Sequence, residues 1–171
     1  MLTHERAAIL KELAAGREVF LEALRGFPEG LAATSPASGR WSVLECVEHV
    51  TVSEDFLLTG ISIGLSQAER WEAPVIDPKR EAAILARGAD RTTPRISPEV
   101  GRPTGRFATL AEAVESFLTV RERTVRFVET CDEDLRSQLI GTINCHEALL
   151  LIAVHPRRHA SQIREIRTAL G

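Results

Sequence analysis

The sequence predicts an all-α protein: a four-helix bundle built as a single domain over residues 1–171. Three observations predict the helices. Apolar residues return at the three-and-four spacing of an amphipathic helix in four separate stretches. Three of those stretches open on a reciprocal cap, a small polar residue followed three positions later by Glu: Ser42 with Glu45, Thr109 with Glu112, Asn144 with Glu147. Alternating strand patterns are weak throughout. A chain of 171 residues is long enough to bury one core.

The first helix is expected over residues 3–26. Leu2, Ile9, Leu13, Phe20, Leu24 and Phe27 mark its apolar face, and Phe27-Pro28-Glu29-Gly30 stops it. A loop rich in Ser, Pro and Gly then leads to the second helix, which starts at the Ser42/Glu45 cap and continues to about Leu65. Val43, Val47, Val50 and Phe56 line it. The third starts at Thr109/Glu112 and carries Val114, Phe117, Leu118, Val125 and Val128. The fourth starts at Asn144/Glu147 and runs to about Leu170. Between the second and third lies a long connection, residues 66–106, holding Pro74, Pro78, Pro94, Pro98 and Pro103. A short helix fits residues 79–87, and the remainder is expected to be irregular. A connection of that length in a compact domain is usually functional or a crossover.

Composition narrows the function. The formal net charge is −3, with both signs interspersed and no basic stripe, so no nucleic-acid partner is expected. No apolar run approaches the roughly 20 residues of a membrane span, and the N-terminus lacks the features of a signal peptide. Cys46, Cys131 and Cys145 are odd in number and form no CxxC, which fits a reducing cytoplasm. Tyrosine is absent, so no phenol can act as a catalytic acid.

The chemistry concentrates in three histidines. His155 and His159 are four residues apart, so on one helix their imidazoles stack on the same face. If the helix carrying His49 packs beside them, three neutral nitrogens converge. Three protein ligands and one open position describe a reactive divalent-metal site. Pro156 lies between the pair and removes one helical hydrogen bond, yet the sequence on both sides reads as helix. His146 is about half a turn out of phase and should face away, and His4 reads as solvated. Glu45 is first a cap, second a base or ligand four residues before His49. Cys46 is a possible thiolate ligand but more simply a small buried hydrophobe. Gln162 can reach a ligand or a coordinated water. Arg157 and Arg158 are either solvated or draw an acidic substrate to the mouth of the pocket.

Trp41, Ser42, Glu45, His49 and Glu54 resemble the W-S-x-x-E-x-x-x-H-x-x-x-x-E signature of the DinB-like (YfiT-like) superfamily. Gly141-Thr142, then His155-Pro156-Arg157-Arg158-His159-Ala160-Ser161-Gln162-Ile163, resemble its closing block. Arg136-Ser137-Gln138-Leu139 replaces a His-Pro that the family often carries before its last helix. The resemblance implies the up-down-down-up bundle, a divalent ion (zinc or nickel) on His49, His155 and His159, and a homodimer. It also implies activity on a small-molecule substrate, most simply S-transfer from a low-molecular-weight thiol to an electrophile. The alternatives are a metal-dependent hydrolase, and a non-enzymatic metal-binding or dimerisation module linked to stress response.

Overall fold

A computed structural model describes residues 1–66, 77–93 and 97–171. Pro74 and Pro94, both part of the expected irregular connection, lie outside these. The described chain is mostly helical: α1 (Thr3–Leu24), α2 (Val43–Ser66), α3 (Pro78–Ala89), α4 (Leu110–Thr130) and α5 (Cys145–Leu170). A two-stranded antiparallel hairpin, β1 (Leu139–Ile140) and β2 (Ile143–Asn144), precedes α5 and turns at Gly141, whose φ of 61° suits glycine.

Each expected cap forms. Ser42 N–H donates to Glu45 Oε2 at 2.7 Å, and Glu45 N–H to Ser42 Oγ at 3.2 Å. Glu112 N–H donates to Thr109 Oγ1, and Asn144 and Glu147 exchange both bonds of their box. Helix α3 starts on Asp77, whose side chain accepts from Lys79 and Arg80 N–H, with Pro78 in the first turn. Helix α1 ends two residues sooner than its periodicity suggests, because Gly26 adopts a left-handed φ of 64°. The carbonyls left open there accept from Arg167 of α5: Ala23 at 3.0 Å and Arg25 at 2.9 Å.

The long helices α1, α5, α2 and α4 contact one another in that cyclic order, and α3 packs on α5. Gly16 lets α1 approach α5 closely, since a Cβ there would stand 2.1 Å from the Ala153 carbonyl oxygen. Gly88 plays the same part for α3, where a Cβ would stand 2.1 Å from Val154 Cγ2. The apolar interior has two parts. One gathers Phe20, Val43, Val47, Phe117, Ile163 and Ile166; the other gathers Ile9, Leu13, Ile61, Val128, Leu149 and Ile152. Two expected core positions face outward: Leu2 precedes the helix and is exposed, and Phe56 is 51% exposed on the outer side of α2.

A polar layer separates the two parts. Glu54 of α2 pairs with Arg121 of α4 at 2.8 Å, both buried, and accepts from Thr124 Oγ1 at 2.7 Å. Burial pushes the Glu54 carboxyl up and the Arg121 guanidinium down, and their mutual attraction opposes both shifts. Arg121 also donates to Leu13 O of α1 and to Ile152 O of α5. The second of these bonds has a reason in the sequence. Ile152 stands four residues before Pro156, so its carbonyl has no helical N–H to accept from. The guanidinium supplies the donor that proline lacks, and α5 continues through Pro156 without a break.

Candidate metal centre

His49 projects from the first half of α2, and His155 and His159 from the second half of α5. Their Nε2 atoms meet: His155 Nε2 is 3.2 Å from His49 Nε2 and 3.0 Å from His159 Nε2. All three potential ligand atoms lie within 4.8 Å of one another. The rings meet edge to edge, at interplanar angles of 61° to 87°. Trp41 walls one side, stacked on His159 at 6.2 Å and tilted against His49 at 4.8 Å.

The proton inventory suits this arrangement to holding a cation. His49 Nδ1 lies 2.5 Å from the Gly101 carbonyl oxygen, which can only accept, so Nδ1 carries the proton and Nε2 presents its lone pair inward. His155 Nε2 then faces two nitrogens, and a single proton cannot serve both contacts. Protonating a ring is no remedy for His159. Burial, followed by His155 and His49, holds its pKa well below the usual imidazole range. Burial lowers His49 too, against the raising effect of Gly101. Three imidazole nitrogens facing one point fit a divalent ion. For a Zn–N bond of about 2.0–2.1 Å, nitrogens on adjacent coordination positions stand about 2.9 Å apart in an octahedron and about 3.4 Å apart in a tetrahedron. The observed 3.0 and 3.2 Å fall between.

The other candidates sort cleanly. Glu45 is held in the α2 cap. Cys46 is fully buried in the apolar interior, its thiol pushed far up by burial. Gln162 is buried. Arg157 is not simply solvated, because it pairs with Glu12 of α1 at 2.6 Å. Arg158 is buried and donates to Thr93 O at 2.9 Å. His4 is exposed. His146 faces away from the trio, as its phase requires. It is buried, accepting from Arg136 Nη2 at 3.0 Å and lying 3.8 Å from Glu81.

A family model described as the DinB superfamily matches residues 12–163, a span that includes all three histidines. The chain belongs to the DinB superfamily. The searches of curated proteins and of solved structures gave no match. For this DinB protein the sequence did not disclose two supporting groups. One is Gly101, whose contribution is a backbone carbonyl and leaves no side-chain trace. The other is Arg121, for which a signal exists. It falls between Phe117 and Val128 on the apolar stripe of α4, where an arginine must find buried partners.

Proposed function

We propose that the protein is a divalent-metal enzyme whose ligands are His49, His155 and His159, and that it transfers a low-molecular-weight thiol onto a small electrophile. The convergence of the three imidazoles, their ligand atoms within 4.8 Å of one another, carries the metal assignment. A divalent cation held there, zinc or nickel, supplies Lewis acidity that lowers the pKa of a thiol or water entering its open position.

The choice of a thiol rests on what surrounds the site. No carboxylate joins the histidines among the described residues. Glu45 is tied into a cap, Glu48 into a loop and Glu54 into Arg121. Water activation commonly recruits such a base, whereas a thiol, ordinarily near pKa 8.5, needs far less help to ionise. The chain's own thiols do not suit this role, because all three are buried and burial raises Cys145 to about 11. The nucleophile is therefore external. Its sulfur forms the new S–C bond as the bond from that carbon to the leaving oxygen or halide breaks, and the thiol proton passes to solvent.

Two further readings complete the proposal. The helix order is up-down-down-up. In support, the end of α1 and the start of α4 adjoin through Glu29 and Leu110 N, while α2 and α4 run alongside through Glu54–Arg121 and Asp55–Arg123. The protein acts as a cytoplasmic homodimer. Consistent with that location, no helix among the described residues is long and apolar enough to cross a membrane.

Metal analysis of tag-free protein, followed by thiol titration of the metal-loaded form, tests the function. Bound metal with a thiol-dependent spectral change supports the transferase. Bound metal with ester or amide turnover insensitive to thiols replaces it with a hydrolase. Protein purified and reconstituted without any metal uptake overturns both.

A further inference from the structure

We infer that Glu48 is a positioning residue of the metal centre. It fastens residues 104–106 onto α2 and thereby holds the Gly101 carbonyl against His49 Nδ1, which aims His49 Nε2 at His155 and His159. The inference rests on the reading of those three histidines as ligands and adds a residue that does not touch the metal.

Glu48 adjoins His49 on α2, and its side chain is 2% exposed. A buried carboxylate is costly unless its oxygens are fully bonded. Here one oxygen accepts from Thr104 N at 2.7 Å and Thr104 Oγ1 at 3.0 Å; the other accepts from Gly105 N at 3.0 Å and Arg106 N at 3.1 Å. Arg106 Nε lies 3.8 Å away. Burial alone would raise the Glu48 carboxyl, but these bonds outweigh it and keep the group ionised. Each of them reaches one three-residue segment, so the carboxylate works as a clasp.

The clasp is coupled to the histidine by a short, stiff path. A 3-10 turn, Glu99–Gly101, is closed by Gly101 N–H to Pro98 O and continued by Arg102 N–H to Glu99 O, both 3.0 Å. Pro98 and Pro103 fix two φ angles within it. Gly101 lies tightly against the histidine: a Cβ there would stand 3.2 Å from His49 Cε1, His49 Nδ1 and Ser53 Oγ, closer than most such contacts. The segment is thus attached to α2 at two neighbouring residues, by Glu48 through backbone N–H groups and by His49 through a backbone carbonyl. Releasing the first attachment frees the second. The groups that orient metal-bound histidines typically contribute 10- to 100-fold to metal affinity.

The test uses the full chain and Zn²⁺ or Ni²⁺ alone. Glu48→Gln should weaken metal binding by about tenfold or more at a temperature where circular dichroism shows the variant folded. In the metal-free variant, ¹⁵N NMR should show His49 losing its single Nδ1-protonated form. A role confined to fold stability would lower Tm and leave both readouts unchanged. A wild-type measurement covers the case of a variant that does not fold. Coupling is reciprocal, so adding metal to the wild-type protein should slow amide exchange at Thr104, Gly105 and Arg106. Wild-type protein that binds no divalent metal would overturn the ligand assignment itself. Wild-type binding, with Glu48→Gln equally tight and the three amides indifferent to metal, would overturn the role of Glu48 and leave the ligands standing.

Discussion

Helix α5 carries three histidines in two settings, His146 and His159 buried and His155 half-buried, and the contrast separates a candidate ligand from a structural imidazole. His146, at the start of the helix, has a cation supplied by the chain. Arg136 donates to its Nε2, and that guanidinium is itself paired with Glu5 at 2.7 Å and with Glu81. His155 and His159, at the other end, face each other and His49, and no carboxylate or thiol joins the cluster among the described residues. Both settings place nitrogen lone pairs in low dielectric. In the first a cationic partner is covalently part of the protein; in the second the three nitrogens could hold a cation bound from outside. Burial alone does not distinguish them, since His146 is as buried as His159.

The strongest way to break this contrast is to remove one histidine from each setting. His155→Ala, His49→Ala or His159→Ala should each weaken divalent-metal binding by at least about 100-fold, beyond the range of an outer-shell loss. His146→Ala should leave metal stoichiometry unchanged. Elemental analysis and competition with a chromogenic chelator measure both. Equal loss on removing His146 would mean that the two settings are not separate.

The next largest effect concerns the charges that hold each setting together. Arg121→Leu strands Glu54, deprives Ile152 O of its donor and removes a bond to α1. Breaking a fully buried pair in this way costs about 3–5 kcal/mol. Arg136→Leu should cost less, because its partners Glu5 and Glu81 are part-exposed and water can take over their solvation. Urea denaturation of the two variants should rank Arg121→Leu as the more damaging. The reverse order would place the mechanical centre of the bundle at the hairpin end.

Acid sharpens the comparison in a different way. His49, His146 and His159 all have lowered pKa values, burial being the first cause of each. In the unfolded chain each takes up a proton near pH 6.5, while in the fold each resists it. The unfolded state then binds more protons, so stability is retained above about pH 6.5 and lost as pH falls below it. Each such histidine adds a slope of about 1.4 kcal/mol per pH unit within that window. The lowered carboxyls of Glu5 and Glu48 act only at lower pH. Thermal denaturation of metal-free protein between pH 7 and 5.5 should show the decline, and His146→Leu should flatten it by about one histidine. An unchanged slope would show that His146 is already charged in the fold, held so by Glu81.

How much of this was legible follows from which groups act through side chains. The caps were legible because a reciprocal bond needs two residue types at one spacing: Ser42/Glu45 and Asn144/Glu147 form both bonds, whereas Thr109 accepts from Glu112 N–H while the Glu112 carboxylate accepts from Ala108 N–H instead. The convergence of His155 with His159 followed from helical phase. Gly101 was not legible: it lies 52 residues from His49 and offers a carbonyl, which every residue possesses. The hairpin at residues 139–144 escaped notice because two-residue strands carry no period. Phe56 and Leu2 misled because an apolar residue at the right phase can still find no neighbour at the edge of a bundle.

The smallest effect is expected at Pro156, and it tests whether the helix between the two ligands is tuned. Replacing it by Ala returns an N–H that can reach Ile152 O and removes the proline ring from the preceding turn. Helix propensity favours the change by up to about 3 kcal/mol in an isolated helix. Here Ile152 O already accepts from Arg121, so the new donor competes with a bond that also ties α4 to α5. The two effects oppose, and net stability should shift by no more than about 1 kcal/mol. Metal affinity should respond more visibly. Changing the turn that separates His155 from His159 alters their 3.0 Å spacing, and a few-fold loss of affinity is expected without loss of stoichiometry. Unchanged affinity in a more stable Pro156→Ala variant would show that Arg121 merely tolerates the proline. Weaker binding at unchanged stability would show that proline and arginine together set the angle between the two imidazoles.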